Sequence, residues 1–372
     1  MKIVFIIDSL RRHGTQRFLT HLATGLKKLG YMQQVIVLND AVDPGLAADL
    51  SQAGCAITVL GKRKLLLAGA GLWQLVGILR KVEPDIVMTM LDFADSLARP
   101  AARLARARSI VTSLRARNLA KPRWRRWLDR RTVRWADKVI LNSEQIVTYA
   151  REKEGVRQDQ VVVIQNGVDD LRARSGGLRS NYRMKLNLEP QTALIGWMGR
   201  LTNQKNFPLL LQACDRLLTK RDWKVVLIGD GPGRARLQAL MRTGKSAHRV
   251  SWLGSRVDTE GWLAAMDLFV HTADFEGMPN AVMEAMAMGL PVVASAVDGS
   301  RELIRDGITG YLVLPRDASG FARRIDALID DPDLAREVGN RAHDDVIERF
   351  DLKRMIESYH RLFLSLVETK PT

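Results

Sequence analysis

Two glutamates eight positions apart, Glu276 and Glu284, form a pair of side chains that could bind a polar ligand together. The segment 272–295 around them predicts a turn, a helix with Asn280 as its N-cap, and a buried strand after Gly289. Glu284 lies one turn into the helix, so its side chain tilts back toward the helix N-terminus, where free N–H groups attract anions. Two carboxylates at this place suit a ligand that carries both hydroxyl and phosphate groups.

Two cations follow another predicted strand, 193–198. The next residues, 199–206, are G-R-L-T-N-Q-K-N. Gly199 allows a tight turn, and Arg200 and Lys205 place two positive charges before a helix predicted to begin at Asn206. Both cations and the helix N-terminus favour phosphate oxygens. The loop therefore predicts a diphosphate site.

Glycine-containing turns follow two further predicted strands. Gly14 lies after the first strand, at the carboxyl end of a predicted parallel sheet, which is a ligand position; an ordinary turn is the alternative. The run 229–233 is G-D-G-P-G. It is not the dinucleotide fingerprint G-x-G-x-x-G, because Arg234 occupies the place of the third glycine.

The string 276–293, E-G-x-P-N-x-x-x-E-A-M-A-x-G-x-P-V-V, resembles the E-x7-E element of retaining, nucleotide-sugar-dependent glycosyltransferases of the GT-B fold, family 4 (glycosyl transferases group 1). The loop 199–206 is similar to the element that holds the donor diphosphate in that family. The turn 229–233 is similar to the family's second turn, near the nucleotide. The similarity is dense over 193–310 and weaker before residue 165.

The resemblance implies a role for each motif residue. Glu276 would face the donor sugar, Glu284 would bind the ribose hydroxyls, and Arg200 and Lys205 would stabilise the leaving diphosphate, which makes Glu276, Arg200 and Lys205 the predicted catalytic residues. The predicted donor-binding residues are Gly14, Gly199, Arg200, Lys205, Asn206, Gly229, Gly231, Val257, Glu276, Gly277, Met278, Asn280, Ala281 and Glu284. The resemblance implies no metal and no cofactor, because the cations are side chains and the nucleotide-sugar is a co-substrate.

The sequence departs from the family pattern in two places. His13 replaces the first of two glycines that the amino-terminal loop usually has. A histidine that often lies near the reacting centre, after the strand 109–113, is also missing, and Arg115 follows that strand instead. We therefore expect a transfer in which the departing phosphate, rather than a dedicated base, accepts the acceptor's proton.

Length and composition bound the protein class. The chain has 372 residues, of which 46% are hydrophobic and 26% charged, which is typical of a soluble globular protein with two domains. Its two cysteines, Cys55 and Cys214, predict neither a disulfide framework nor a metal site, in keeping with a reducing compartment. The residues 1–7 predict a strand rather than a signal peptide, and no apolar run predicts a membrane span.

The charge is concentrated in one segment. The chain has a net charge of +16, and the residues 99–134 carry thirteen Lys or Arg and one acidic residue, Asp129, which leaves +4 for the remainder. The residues 123–135 predict a basic amphipathic helix with tryptophans, which is typical of helices that lie on anionic membranes. The alternatives are a core helix with solvated arginines and a nucleic-acid site, although no nucleic-acid-binding motif accompanies it. The predicted acceptor or membrane contacts are His13, Arg115, Arg123, Trp124, Arg125, Arg126 and Arg130.

The elements alternate between strand and helix in both halves, which predicts parallel sheets. We expect the α/β class, with two Rossmann-like domains facing across a cleft (GT-B) and carboxyl-terminal helices that return to the amino-terminal domain. The predicted domains are 1–168 for the acceptor, 169–190 as a connection, 191–350 for the nucleotide-sugar, and 351–372 as the returning helix.

These patterns together predict a retaining, metal-independent hexosyltransferase. It would move a sugar from a nucleoside-diphosphate sugar, a UDP-sugar above all, to an acceptor hydroxyl in lipid-linked glycan, lipopolysaccharide or exopolysaccharide synthesis. We expect it in the cytoplasm, peripherally on an anionic membrane surface, with no nucleic-acid partner. The alternative is a non-catalytic basic protein that binds membranes through a transferase scaffold.

Overall fold

The computed structural model describes residues 1–11, 14–61, 70–115 and 121–369. The chain forms two compact units: Met1–Gly167 with Leu352–Thr372, and Val168–Asp351. Each unit has its own parallel sheet with helices, so the predicted class of two Rossmann-like α/β domains is confirmed.

Among the described residues, the first unit contains a seven-stranded parallel sheet of order β3-β2-β1-β4-β5-β6-β7. Its strands are Lys2–Ile7 (β1), Met32–Val37 (β2), Cys55–Val59 (β3), Ile86–Met90 (β4), Ser109–Leu114 (β5), Lys138–Leu141 (β6) and Val161–Val163 (β7). β1 pairs with β2 and β4, with Phe5 opposite Val35 and Met88. The central strands are almost fully buried because helices cover both faces.

The second unit, in the part of the chain described here, contains a six-stranded parallel sheet of order β10-β9-β8-β11-β12-β13. Its strands are Ala193–Met198 (β8), Trp223–Ile228 (β9), Val250–Trp252 (β10), Leu268–His271 (β11), Val292–Ser295 (β12) and Tyr311–Val313 (β13). β8 pairs with both β9 and β11, so the strand order reverses between β8 and β11.

Helices connect the strands. In the first unit they are Gly14–Lys28, Pro44–Gln52, Ala70–Val82, Asp92–Leu104, Arg123–Thr132, Val147–Glu154 and Leu352–Glu368. In the second unit they are Leu178–Met184, Phe207–Cys214, Arg234–Thr243, Thr259–Ala265, Asn280–Ala287, Asp298–Leu303, Ala318–Asp330 and Pro332–Arg349.

The helix Leu352–Glu368 completes the core of the first unit, although it follows the whole second unit in the sequence. Tyr359 and Phe363 are fully buried in the same apolar cluster as Phe18. The Tyr31 hydroxyl lies 2.8 Å from His360 Nδ1. The predicted return of the carboxyl-terminal helix is therefore confirmed.

Two local predictions differ from the structure. The segment 169–190, predicted as a bare connection, contains the helix Leu178–Met184, whose Arg183 donates to Asp267 and to the Thr192 carbonyl. The helix after Glu276 begins at Asn280 itself, so the prediction of Asn280 as N-cap is wrong; Pro279 takes that place. Proline is favourable there because it has no N–H that would need an acceptor.

Candidate active site

The reversal of strand order between β8 and β11 marks the place where a ligand is expected. At such a point the loops after neighbouring strands run in opposite directions and leave a crevice at the carboxyl edge of the sheet. The loop 199–206 follows β8 and the loop 272–279 follows β11. These two loops contain Arg200, Lys205 and Glu276, so the topology brings the predicted catalytic residues to one edge.

The loop after β8 packs directly on the turn after β9. Leu201 N–H donates to the Asp230 carbonyl at 3.1 Å. A Cβ on Gly229, which has φ +136°, would lie 1.8 Å from the Gly199 carbonyl oxygen, and a Cβ on Gly231 would lie 2.7 Å from the Leu201 carbonyl oxygen. Gly229 and Gly231 are thus required by backbone contact, and the two loops pack together without a gap.

Hydrogen bonds also join the loop after β8 to the loop after β11. Asp274 N–H donates to the Gln204 carbonyl at 2.8 Å, and Gln204 Nε2 donates to the Phe275 carbonyl at 2.9 Å. The Thr272 hydroxyl donates to the Lys205 carbonyl at 3.0 Å. These bonds fix the backbones that carry Lys205 and Glu276.

Asn206, a predicted donor-binding residue, contributes to the same junction. Its φ of 44° places it in the left-handed region, immediately before the helix Phe207–Cys214. Its Nδ2 donates to Asp274 Oδ1 at 3.0 Å, and Arg316 Nη2 lies 2.9 Å from the other oxygen of that carboxylate. The structure therefore gives Asn206 a loop-fixing contact.

Lys205 and Glu276 form an ion pair through Lys205 Nζ and Glu276 Oε1. The Glu276 side chain is 9% exposed and the Lys205 side chain 19%. His271, the last residue of β11, places its Nε2 3.6 Å from the same Oε1. His271 is buried at 1% exposure and was not predicted as a site residue; its only signal in the sequence is its place at a strand end, five positions before Glu276.

Charge and burial act in opposite directions on this group. Burial alone would raise the pKa of Glu276, but the Lys205 ammonium and then the His271 ring lower that pKa to about 2. Burial lowers the pKa of His271, assisted by Lys205 and opposed by Glu276. At neutral pH the site thus contains an ionised carboxylate beside a neutral imidazole.

The residues after Glu276 are tightly packed. Gly277 and Met278 are buried, and a Cβ on Gly299 would lie 1.7 Å from the Gly277 carbonyl oxygen, so the next helix, Asp298–Leu303, closes on this turn. Asn280 and Ala281 are partly exposed at the start of the helix Asn280–Ala287. Glu284 is 9% exposed on that helix, and therefore not a solvated surface carboxylate.

Arg200 and Val257 lie at the open side of their loops. Arg200 is exposed, and Val257 is 72% exposed. The residue after Val257, Asp258, is bound by Arg256 Nη2 at 2.9 Å and by the Tyr182 hydroxyl at 3.0 Å. Hydrogen bonding from Arg256 lowers the pKa of Asp258 to about 2 against the effect of partial burial. The contacts of Asp258 thus fix the turn that carries Val257.

In the first unit, Gly14 is the first residue of the helix Gly14–Lys28, and His13 lies outside the described residues. Arg115 follows β5. Its guanidinium bonds Asn166 Oδ1 and stacks 3.6 Å from the centroid of the Phe18 ring. Burial lowers the pKa of Arg115 to about 10, although Tyr359 opposes that shift.

A buried ionic network also belongs to the first unit. Lys121 Nζ lies 3.3 Å from Asp92 Oδ1, 2.9 Å from Asp129 Oδ2 and 2.7 Å from Glu154 Oε2. Arg99 Nη2 lies 3.0 Å from Asp129 Oδ1. Two cations of the segment 99–134 thus point inward, so the prediction that this segment is wholly a basic surface is wrong for Arg99 and Lys121.

Burial shifts two carboxyls next to this network. The pKa of Asp8 is raised to about 6, mainly by burial, although backbone N–H groups of Ala94 and Phe93 stabilise its charged form. The pKa of Asp95 is raised to about 7 by burial, against the effects of Arg99 and the Thr89 hydroxyl. Asp95 accepts the Thr89 hydroxyl at 2.5 Å.

The helix Arg123–Thr132, which we call the basic helix, lies above this network and presents aromatic rings to solvent. Trp124 is 64% exposed and Trp127 58%; Trp135, just after the helix, is 38% exposed. The alternative that Trp127 and Trp135 are core residues is therefore wrong. In residues 123–135, the exposed arginines are Arg123, Arg130, Arg131 and Arg134. Arg125 and Arg126 are half-buried, and Arg125 lies 5.4 Å from the centroid of the Phe93 ring.

In residues 1–11, 14–61, 70–115 and 121–369, no group of three or more His, Cys, Asp or Glu side chains could hold a metal ion. Over the same described ranges, no helix has both the length and the apolar character needed to cross a membrane.

Comparison with known proteins identifies the family. Residues 192–331 match the model of "Glycosyl transferases group 1", and residues 12–172 match that of "Glycosyltransferase Family 4". A lipopolysaccharide core biosynthesis glycosyltransferase, LpsE of Rhizobium meliloti, is 33% identical over 189 residues, which cover 51% of this chain and 54% of that protein. The chain thus spans about half the length of this curated relative.

Two further proteins align along most of the chain. The UDP-Gal:alpha-D-GlcNAc-diphosphoundecaprenol alpha-1,3-galactosyltransferase of Escherichia coli is 24% identical over 345 residues, 90% of this chain and 87% of that one. The structure of Anabaena Alr3699/HepE in complex with UDP and glucose superposes with a TM-score of 0.87 at 23% identity, covering 98% of this chain and 100% of that one. The two parallel sheets, the loops at their carboxyl edges and the two matched models lead to one conclusion: the chain belongs to the glycosyltransferases of the GT-B fold, with a family 4 amino-terminal part and a group 1 carboxyl-terminal part.

Proposed function

We propose that this glycosyltransferase retains configuration and moves a sugar from a UDP-sugar to an acceptor hydroxyl. The observation that carries the proposal is the Lys205–Glu276 pair at the reversal point of the second sheet. One loop supplies a cation for a phosphate, and the neighbouring loop supplies an ionised carboxylate for sugar hydroxyls. The UDP complexes of Alr3699/HepE and the UDP-Gal substrate named for the Escherichia coli relative support UDP as the nucleotide of the donor.

The donor would lie along the loops of the second unit. Arg200 and Lys205 would bind the diphosphate, because both ammonium and guanidinium groups remain partly accessible there. Glu284 would bind the ribose hydroxyls and Glu276 the transferred sugar. Backbone groups of the second unit would complete the site at Gly199, Asn206, Gly229, Gly231, Val257, Gly277, Met278, Asn280 and Ala281.

The proposed transfer is a single event on one face of the sugar. The bond from the sugar's anomeric carbon to the diphosphate oxygen breaks while the acceptor oxygen bonds to the same face of that carbon. The acceptor's proton passes to the departing phosphate oxygen, so no separate base is required. Arg200 and Lys205 offset the charge that develops on the diphosphate, which is the largest contribution a preorganised site makes. No metal ion or cofactor takes part in this proposal.

We place the acceptor in the first unit and assign it to lipid-linked glycan, lipopolysaccharide or exopolysaccharide synthesis. The names of the Rhizobium and Escherichia relatives support that class of acceptor. Arg115 is the described residue proposed to contact it, and His13, which precedes Gly14, is its proposed companion.

Ligand-induced stabilisation and turnover test the proposal together. UDP, GDP and ADP, each with the matching radiolabelled glucose donor, are compared by thermal unfolding and by release of labelled product. A nucleotide at 100 times its dissociation constant stabilises by about 2.7 kcal/mol. We expect UDP and UDP-glucose to stabilise the protein, and labelled product to form from UDP-glucose. Binding of UDP without any turnover or hydrolysis across a panel of UDP-sugars would favour the non-catalytic alternative.

A second candidate property is peripheral binding to the cytoplasmic face of a membrane. The observation that favours it is the exposure of Trp124 and Trp127 on one helix with Arg123 and Arg130. Trp rings settle at the headgroup level, and each arginine near an anionic surface contributes about 1 kcal/mol. Co-sedimentation with vesicles containing phosphatidylserine at low salt tests this proposal. Recovery of the protein in the supernatant would contradict it. Steep salt-dependent binding to DNA or RNA would instead indicate nucleic acid, which we do not propose as a partner.

A further inference from the structure

His271 contains a buried nitrogen that lacks a hydrogen bond. Its ring is 1% exposed, and Nε2 has no hydrogen-bond partner among the described residues. Glu276 Oε1 lies 3.6 Å from it. A buried polar atom without a partner costs about 1–3 kcal/mol, and such atoms in folded proteins call for an explanation.

A purely structural role does not explain the choice of histidine. His271 ends β11, whose Phe269 is fully buried in an apolar cluster of the second unit. A leucine would fill this place without leaving a polar atom unpaired. The imidazole therefore costs stability unless it acts on Glu276.

The two cationic or potentially cationic neighbours of Glu276 converge on one oxygen. Lys205 Nζ and His271 Nε2 both face Oε1. In the proposed donor complex the Lys205 ammonium also faces the diphosphate, and its contact with Glu276 weakens. A carboxylate whose side chain is only 9% exposed would then need another donor to stay ionised and in place.

We propose that His271 is a positioning residue that hydrogen-bonds Glu276 when Lys205 turns to the donor diphosphate. The ring acts as its Nε2–H tautomer, and a movement of less than 1 Å closes the gap of 3.6 Å to hydrogen-bond distance. Lys205 is thereby shared between two anions without leaving Glu276 unpaired. This inference rests on the proposed function for the role of Lys205, but the coupling of the three side chains does not.

The coupling is tested by ¹⁵N NMR of the full chain labelled at histidine, with His271→Gln to assign the signal among the six histidines. The charged groups that act on His271 are Glu276, which raises its pKa, and Lys205, which lowers it. We expect Lys205→Met to move the titration of His271 to higher pH and Glu276→Gln to move it to lower pH. A His271 signal that responds to neither substitution overturns the inference, whether or not the protein turns over a UDP-sugar.

The consequence for transfer is tested with UDP-glucose. We expect His271→Leu to lower kcat/KM about tenfold, the size of one hydrogen bond to a charged group, and to change the affinity for UDP less, because Glu276 faces the sugar. His271→Gln keeps an N–H donor and should recover most of the rate. Phe269→Leu is the matched packing control on the same strand, and should lower the melting temperature while leaving kcat/KM unchanged.

The outcomes separate the possibilities. Equal rates for His271→Leu and the wild type, or equal losses in His271→Leu and His271→Gln, overturn the positioning role. If the wild type does not turn over UDP-glucose, the proposed function fails for this donor, and the NMR titrations still decide the coupling.

Discussion

Charged side chains cluster in both units, but the two clusters differ in their access to solvent. In the second unit, Lys205 and Glu276 are paired beside an exposed Arg200, and the pair retains some contact with water. In the first unit, Lys121 is enclosed by three carboxylates, and Asp129 is almost completely buried.

The difference shows that a cluster of charged side chains can serve two purposes. A partly exposed ion pair can exchange one partner for a ligand at little cost in free energy. An enclosed network loses too much stability when one of its members leaves. We therefore regard the second cluster as ligand-binding and the first as the anchor of the basic helix. Because Asp129 is on that helix and Lys121 just precedes it, the network fixes the surface that carries Trp124 and Trp127.

The largest expected effect tests the anchor. Lys121→Met leaves three carboxylates without their shared cation and should lower the free energy of unfolding by about 3–5 kcal/mol, as expected for a broken buried pair. Urea denaturation measures it. The control is Arg157→Gln, which breaks an exposed pair with Asp159 and should change the free energy of unfolding far less, because solvent screens that pair. Similar losses in both variants would show that the network is not an anchor.

The next effect tests ligand binding by the second cluster. Arg200→Ala should lower turnover of UDP-glucose about 10²–10³-fold with little change in melting temperature, because Arg200 is exposed. Lys205→Ala should lower turnover as much and also destabilise the fold, since it leaves Glu276 unpaired. Steady-state kinetics and thermal unfolding of both variants check this, and wild-type turnover in either would remove that residue from the proposed site.

A smaller effect concerns the basic helix. Replacing the exposed Arg123, Arg130 and Arg131 by Gln should weaken binding to phosphatidylserine vesicles by up to about 3 kcal/mol at low salt, and by less near 0.5 M salt because of screening. The affinity for UDP, measured by calorimetry, should not change. Arg336→Gln, which removes an exposed arginine from a helix of the second unit, is the control for loss of positive charge elsewhere. Unaltered co-sedimentation of the triple variant would exclude this face as the membrane contact.

The last effect is a difference in pH dependence. Burial raises the pKa of Asp95 from 3.8 to about 7, so the folded chain binds more protons than the unfolded chain between these values, and stability falls as pH rises through this range. Burial would raise the pKa of Glu276, but Lys205 and His271 lower that pKa from 4.5 to about 2. The contribution of Glu276 to the stability of the fold is therefore present above pH 4.5 and is lost as pH falls toward 2. Melting temperatures from pH 2.5 to 8 should show the first slope disappear in Asp95→Asn and the second in Glu276→Gln. Unchanged slopes in these variants would contradict the assignment.

Local patterns predicted most of the fold. Apolar runs alternating with helical periodicity gave both parallel sheets, and the predicted β8 matches Ala193–Met198. Glycine spacing also located the turn after β9, where Gly229 meets the Gly199 carbonyl. These features depend on neighbours in sequence or on a steric limit that only glycine satisfies.

Long-range pairing could not be predicted in the same way. Nothing in the sequence indicates that Lys121 would reach Glu154, or that Asp274 would bind Asn206 and Arg316, because these contacts exist only after the sheet has formed. The exposure of Trp127 agrees with the predicted helix that lies on a surface rather than with the core-helix alternative, a choice that the apolar stripe alone leaves open. His271 was overlooked because its partner lies across a loop.

The helix Leu352–Glu368 has a consequence for synthesis on the ribosome. All of Val168–Asp351 is translated before the residues that complete the first apolar core. A Cβ on Gly25 would lie 2.4 Å from Ile356 Cδ1, which shows how closely that late helix fits the early one. The second unit can therefore fold while the chain is still being made. The first unit must wait, with part of its apolar surface exposed, until the last helix has been translated. We therefore expect chaperones to bind the amino-terminal half for longer.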